Sequence, residues 1–175
     1  TPGHHFQIAI EMELKGLPAF RTLGARMAGV AYAEGWGLYC ERLADEMGLY
    51  ASDQERLGML EAQAFRAARL VVDSGLHAMG WTREQAIAVM HERGSLPMVD
   101  AEIEVDRYTV WPGQALSYKL GQREVERARA DVAIALGDRF DLRAFHDEVL
   151  GHGSLPLATL RREIGGWVEA AVSAG

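Results

Sequence analysis

The sequence predicts an all-α protein, an irregular helical bundle, and three observations predict it. Apolar residues recur at spacings of three and four over most of the chain. No stretch sustains the apolar/polar alternation of a half-buried strand. Gly and Pro punctuation separates the periodic stretches, and no internal repeat or low-complexity linker interrupts them. With 175 residues, 49% of them hydrophobic, the chain can bury one sizeable core, so residues 1–175 are expected to form one domain or part of one.

The elements follow in order. A first helix is expected after Gly3, running toward Leu14 before the Gly16-Leu17-Pro18 break. The second covers residues 30–47 and stops at Gly48, a C-terminal cap. A long third helix spans residues 53–79, where Leu57, Leu60, Ala64, Ala67, Ala68 and Val71 are expected to form the core face. Thr82 and Gln85 make a capping box for a helix over residues 83–93, ended by Gly94. Asp100 caps a short helix through Tyr108, and Trp111-Pro112-Gly113 turns the chain. A helix over residues 114–136 carries Glu124, Glu126, Arg127 and Arg129 on its wet side. Helices over residues 142–150 and 157–172 complete the bundle, the latter preceded by Pro156, which the first turn of a helix tolerates.

Charge and composition exclude several classes. The net charge is −7, with 18 Lys and Arg against 25 Asp and Glu, so nothing is left over to neutralise a phosphate backbone and no nucleic acid is expected. Cys40 is the single cysteine, which rules out an internal disulfide and suits a small buried hydrophobe. No apolar run approaches the roughly 20 residues of a membrane helix, and no signal peptide stands at the front. The chain is expected to be soluble without a membrane partner, and the cytoplasm is the favoured compartment. It starts without an initiator methionine and is expected to be an excised or processed piece whose mate lies upstream.

The residues with chemical potential are few. Residues 27–40 read MAGVAYAEGWGLYC, with Glu34 the one charge among small, apolar and aromatic neighbours; an ionised carboxylate there needs a partner, a metal ion or an arginine, unless it is half-exposed on an amphipathic helix. Glu41 and Asp45, farther along, suit solvent or ion pairs. His4 and His5 precede an apolar helix, and neutral imidazole is the commonest zinc ligand, although a tag remnant or a capping pair reads the same way. Glu34 lies about 30 residues on, far enough for a second helix to fold back. Asp73 and His77 sit four apart, where the carboxylate could fix the imidazole tautomer, while Arg69 competes for it from one turn earlier. Arg107, Tyr108, Trp111, Gln114 and Tyr118 gather donors and aromatics around a turn, suited to an oxyanion or a carboxylate and equally to core packing. His91, His146 and His152 need no special role.

Taken together, PGHHFQ (residues 2–7), AEGWGLYCE (33–41), RLVVDSGLHAMGW (69–81), RY with WPGQALSYKLG (107–121) and FDLRAFHDEVLGHGSLPL (140–157) resemble the bacterial domain-of-unknown-function 885 family, in order and over nearly the whole chain. The family is similar to zinc peptidases of the gluzincin type. The resemblance implies the C-terminal part of a zincin-like helical metallopeptidase, a fragment of a larger catalytic domain. Its first motif begins, in the family, with a His-Glu pair three residues before the proline that supplies one metal ligand and the general base; here both are expected to be missing. A His after Gly3 would be the second zinc ligand, His4 preferred to His5, and Glu34 the third. Four residues of helix turn about 400°, so ligands four apart share a face; the inserted Pro2-Gly3 would have to break or bulge the helix. Tyr118, Tyr108, His77 and Arg107 become candidates for binding a peptide substrate and steadying the tetrahedral intermediate. The implied activity is zinc-dependent peptide hydrolysis by a metal-activated water. This chain alone is expected to be inactive, to bind zinc weakly, to need the missing upstream segment as partner, and to self-associate through its uncovered cleft. A metal-free helical binding or scaffold module is the alternative, and a purely structural helical domain a third reading.

Overall fold

The structure, a computed structural model, describes residues 2–18, 20–21 and 29–173. Thr1 and the first two residues of the 27–40 segment lie outside the described residues. Among those described there are helices and no strands: α1 (Pro2–Glu13), α2 (Val30–Glu46), α3 (Asp53–Ala78), α4 (Arg83–Gly94), α5 (Met98–Val110), α6 (Ser117–Leu136), α7 (Leu142–Gly151) and α8 (Leu157–Ser173). Short 3-10 turns at Gln114–Leu116 and Gly137–Arg139 flank α6.

Local chemistry sets most boundaries. Ser52 accepts from the Glu55 N–H at the start of α3, and Glu55 reaches back to Ala51 N at 2.7 Å. The capping box at α4 forms in both directions, Gln85 N to Thr82 Oγ1 at 3.2 Å and Thr82 N to Gln85 Oε1 at 2.9 Å. Asp141 caps α7 through the N–H of Arg143 at 2.7 Å. Several expected boundaries shift, two of them with a visible local cause, while the helix expected from Gln114 begins only at Ser117, behind a 3-10 turn. α5 begins at Met98, two residues before Asp100, because Pro97 with φ −53° opens the first turn without a side-chain cap. Gly94 is the last residue of α4 rather than its terminator; Ser95 takes the left-handed conformation (φ 59°), while Gly94 is needed for space, since a Cβ there would meet that of Ala68 at 3.3 Å.

The helices belong to two compact units, Thr1–Tyr39 with Gly121–Gly175, and Cys40–Leu120. In the first, residues 30–39 of α2 cross α6 at glycine: a Cβ on Gly35 would lie 2.2 Å from Gly121 C, and one on Gly121 would lie 1.7 Å from Ala31 O. The two backbones touch. Tyr32 donates to the Val149 carbonyl at 2.8 Å. His146, expected to need no special role, packs among the rings of Trp36, Tyr39 and Phe145, with its Nε2 2.7 Å from the Tyr39 hydroxyl.

The second unit packs α3, α4 and α5 around Val72, Ala86, Met90, Ala101, Val105, Tyr108 and Ala115. Here the expected core face of α3 is wrong. Leu57, Leu60 and Val71 are 55%, 46% and 49% exposed, Ala64 and Ala67 are half-buried, and Ala68 alone of the six is buried. The buried face instead runs through Met59, Gln63, Arg69, Val72, Asp73 and Gly75. Its polar members find partners from elsewhere in the unit: Lys119 donates to Gln63 Oε1, Arg69 to Gln114 Oε1, and Gly113 N to Asp73. Cys40 is half-buried, and burial, with Glu41 adding, pushes its thiol up to about 11, so it stays protonated at neutral pH.

Candidate functional site

Pro2 opens α1, and its third residue, His4, faces Glu34 on α2: Nε2 and Oε2 are 3.5 Å apart. Three features of the first unit hold the imidazole there. Nδ1 meets the Gln7 amide oxygen at 3.2 Å, one turn along the same helix, which commits Nδ1 as the donor and turns Nε2 toward the carboxylate. The indole of Trp36 donates to the Gly3 carbonyl at 3.2 Å and pins the start of α1 against α2. Gly37, one turn after Glu34, leaves the space the ring occupies, since a Cβ there would lie 2.6 Å from Nε2 and 2.7 Å from Cε1 of His4.

Donation to the Glu34 carboxylate raises the His4 pKa above its ordinary 6.5, against a partial burial that lowers it. An imidazole nitrogen and a carboxylate converging in this way are donor types of a transition-metal site. His5 stays exposed, its ring edge-on to Phe6. Among the described residues no group of three His, Cys, Asp or Glu is placed to hold a metal ion, so His4 and Glu34 stand as a pair. A cavity of about 600 Å³ opens beside them.

The other four candidates lie in the second unit. Tyr108 is 1% exposed and donates to Glu104 Oε2 at 2.5 Å, and its carbonyl is 3.0 Å from His77 Nε2. Arg107 donates to Glu104 at 2.8 Å and to Gln114 at 3.2 Å. Tyr118 is half-buried, with Arg69 over its ring at 4.3 Å and Arg66 at 5.9 Å, and its hydroxyl has no hydrogen bond to a described residue. The expected pairing of Asp73 with His77 or Arg69 gives way to a third partner: both Asp73 oxygens accept from the backbone N–H of Gly113, at 3.1 and 3.0 Å. A buried carboxylate needs donors, and the Gly113 N–H supplies one to Asp73.

Gln7 and Gly37 went unnoticed in the sequence. A glycine inside a helical, aromatic-rich run signals close approach; nothing local marks Gln7.

The fold and the site together define an all-α protein with a His–Glu pair of metal-ligating type held between two helices. It belongs to the family described as bacterial protein of unknown function (DUF885), whose sequence profile matches residues 1–164. It is similar in structure to "the putative lipoprotein from Colwellia psychrerythraea", with 46% identity and a TM-score of 0.90 over 97% of this chain. It is also similar to "a putative lipoprotein of unknown function from Shewanella oneidensis", with 30% identity and a TM-score of 0.84 over 92% of this chain. The chain spans 29% of the length of each. No curated protein matches it.

Proposed function

We propose that this chain is part of a longer zinc-dependent peptidase and contributes His4 and Glu34 as two of the metal's protein ligands. One observation carries the reading: His4 Nε2 and Glu34 Oε2 converge to 3.5 Å while Gln7 occupies the other ring nitrogen. The pair fits zinc by donor type, and the Gln7 bond is the outer-shell contact that ligating histidines commonly make. When bound, zinc would lower the pKa of a water and polarise the scissile carbonyl. A further ligand and the general base would come from outside the described residues. Tyr118, with its uncommitted hydroxyl, is the preferred donor to the developing oxyanion, because Tyr108, His77 and Arg107 are engaged in bonds of the fold. These three keep a role in binding substrate only if they exchange those bonds. The two relatives described as lipoproteins favour an extracytoplasmic, membrane-anchored longer protein over the cytoplasm.

The test is zinc content by mass spectrometry together with hydrolysis of a peptide library, measured on a longer family member containing these residues and on its Glu34→Gln variant. Stoichiometric zinc and cleavage, both lost in the variant, support the proposal. A longer protein with neither zinc nor cleavage would leave the metal-free binding module, which is favoured by one feature: His4 and Glu34 satisfy each other as an ion pair.

A further inference from the structure

The cavity of about 600 Å³ beside His4 and Glu34 falls within the range of sites that hold small ligands. Helical spacing makes its walls apolar in one direction. Along α1, His4 is followed at four-residue steps by Ile8 and Met12, which share its face. Along α2, Val30 stands one turn before Glu34 and Ala33 lies beside it. Leu14 and Leu17 add to the same lining. The polar pair therefore sits at one end of a channel whose sides, for two turns of helix, carry hydrocarbon.

Away from the pair, Glu11 and Ser154 on the lining are committed to each other, and the buried Gln7 Nε2, without a hydrogen bond among the described residues, leaves one polar point on the wall. The Glu11 carboxylate accepts from the Ser154 hydroxyl at 2.8 Å and from its backbone N–H at 3.3 Å. A charged group entering here would shed its water against methyl and methylene groups, whereas an apolar one would gain by leaving water.

We infer that this cavity receives a large apolar side chain of the peptide substrate, from a residue flanking the cleaved bond, so that the site selects for Leu- or Phe-like residues and against Asp and Lys. The inference rests on the peptidase reading for its substrate, and on Ile8, Met12, Val30 and Ala33 for its selectivity.

Two measurements separate the two claims. In the first, this isotope-labelled chain is titrated by NMR with the N-acetyl amides of leucine, phenylalanine, aspartate and lysine. The leucine and phenylalanine compounds should shift the amides of Ile8, Met12 and Ala33, and the charged ones should not. Ile8 is 44% exposed, so Ile8→Asp should fold, and it should move the preference toward lysine. Ala33→Leu, which fills the cavity without adding charge, should weaken the apolar compounds.

In the second, a longer family member is assayed on peptides differing at one residue; apolar substrates should exceed charged ones by about tenfold or more in kcat/KM, as expected when pocket contacts decide selectivity. Selective binding without any cleavage would keep the pocket and sink the peptidase reading. Cleavage indifferent to the side chain, and unchanged by Ile8→Asp, would sink the pocket and keep the peptidase. Equal shifts with all four amides, or shifts confined to other residues, would also overturn it.

Discussion

Gly37 lies directly beneath the imidazole of His4, so close that a methyl group on Gly37 would stand 2.6 Å from Nε2. The obstructing atoms belong to a side chain that can rotate away, while Gly37 is inside α2, where Ala is the better helix former by about 1 kcal/mol. Gly37→Ala should therefore leave thermal stability unchanged or slightly raised and yet drive His4 off Glu34. An NMR titration of the His4 ring reads this directly: its raised pKa should return toward 6.5 in the variant. A His4 pKa that stays raised would show that Gly37 does not set the ring's position.

Gly121→Ala should behave in the opposite way. Its new Cβ would fall 1.7 Å from the Ala31 carbonyl, so the backbones of α2 and α6 must part. Overpacking of this kind costs about 1–3 kcal/mol or more. Urea unfolding should show a clearly lower midpoint than for the parent chain, and an unchanged midpoint would mean that stability does not depend on the close approach of α2 and α6 at Gly121.

Zinc should bind the chain weakly, because a pair with no third donor among the described residues lacks both a bond and preorganisation. Calorimetric titration at neutral pH should give an affinity no tighter than micromolar, lost in Glu34→Ala. Submicromolar binding that survives this substitution would place the metal elsewhere.

The two tyrosines separate stability from turnover. Tyr108→Phe removes a buried donor from Glu104 and should cost about 1–3 kcal/mol of folding stability. Tyr118→Phe breaks no described hydrogen bond and should leave stability intact. In an active longer family member, Tyr118→Phe should lower turnover roughly a hundredfold to a thousandfold, the usual effect of losing one oxyanion donor. Wild-type turnover in Tyr118→Phe, with loss in Tyr108→Phe at equal folding, would transfer the role to Tyr108. Full activity in both would point to His77.

Acid should weaken the second unit through Glu104. Burial pushes its pKa up, but hydrogen bonds from Arg107 and Tyr108 outweigh this and hold it below the ordinary 4.5. A carboxylate whose folded pKa is depressed adds stability above its unfolded value, and that stability is lost as the pH falls through the folded one. Thermal unfolding of the chain should fall off below pH 4.5, and Glu104→Gln should be less stable at pH 7 but flatter across the acid range. Parallel curves for the two proteins would remove Glu104 from the acid response.

Helix positions could be read from the sequence because their determinants are local. Thr82 and Gln85 cap α4 from three residues apart, Pro156 precedes α8, and Gly48, with φ 67°, follows α2. Glu34 could be singled out because a lone carboxylate is rare among such apolar neighbours, and His4 and His5 because they stand together before an apolar helix. Tertiary structure decided the rest. Whether Leu57 or Arg69 faces the interior depends on Gln114 and Gly113, some 40 residues away, supplying hydrogen bonds that make a polar face cheap to bury. Periodicity registers hydrophobicity and not partners, so it chose the exposed face. Between His4 and His5, sequence alone allowed either. The choice was made by the gap at Gly37, by Gln7 on Nδ1 and by the Trp36 bond to Gly3, contacts that exist only once α1 has packed against α2.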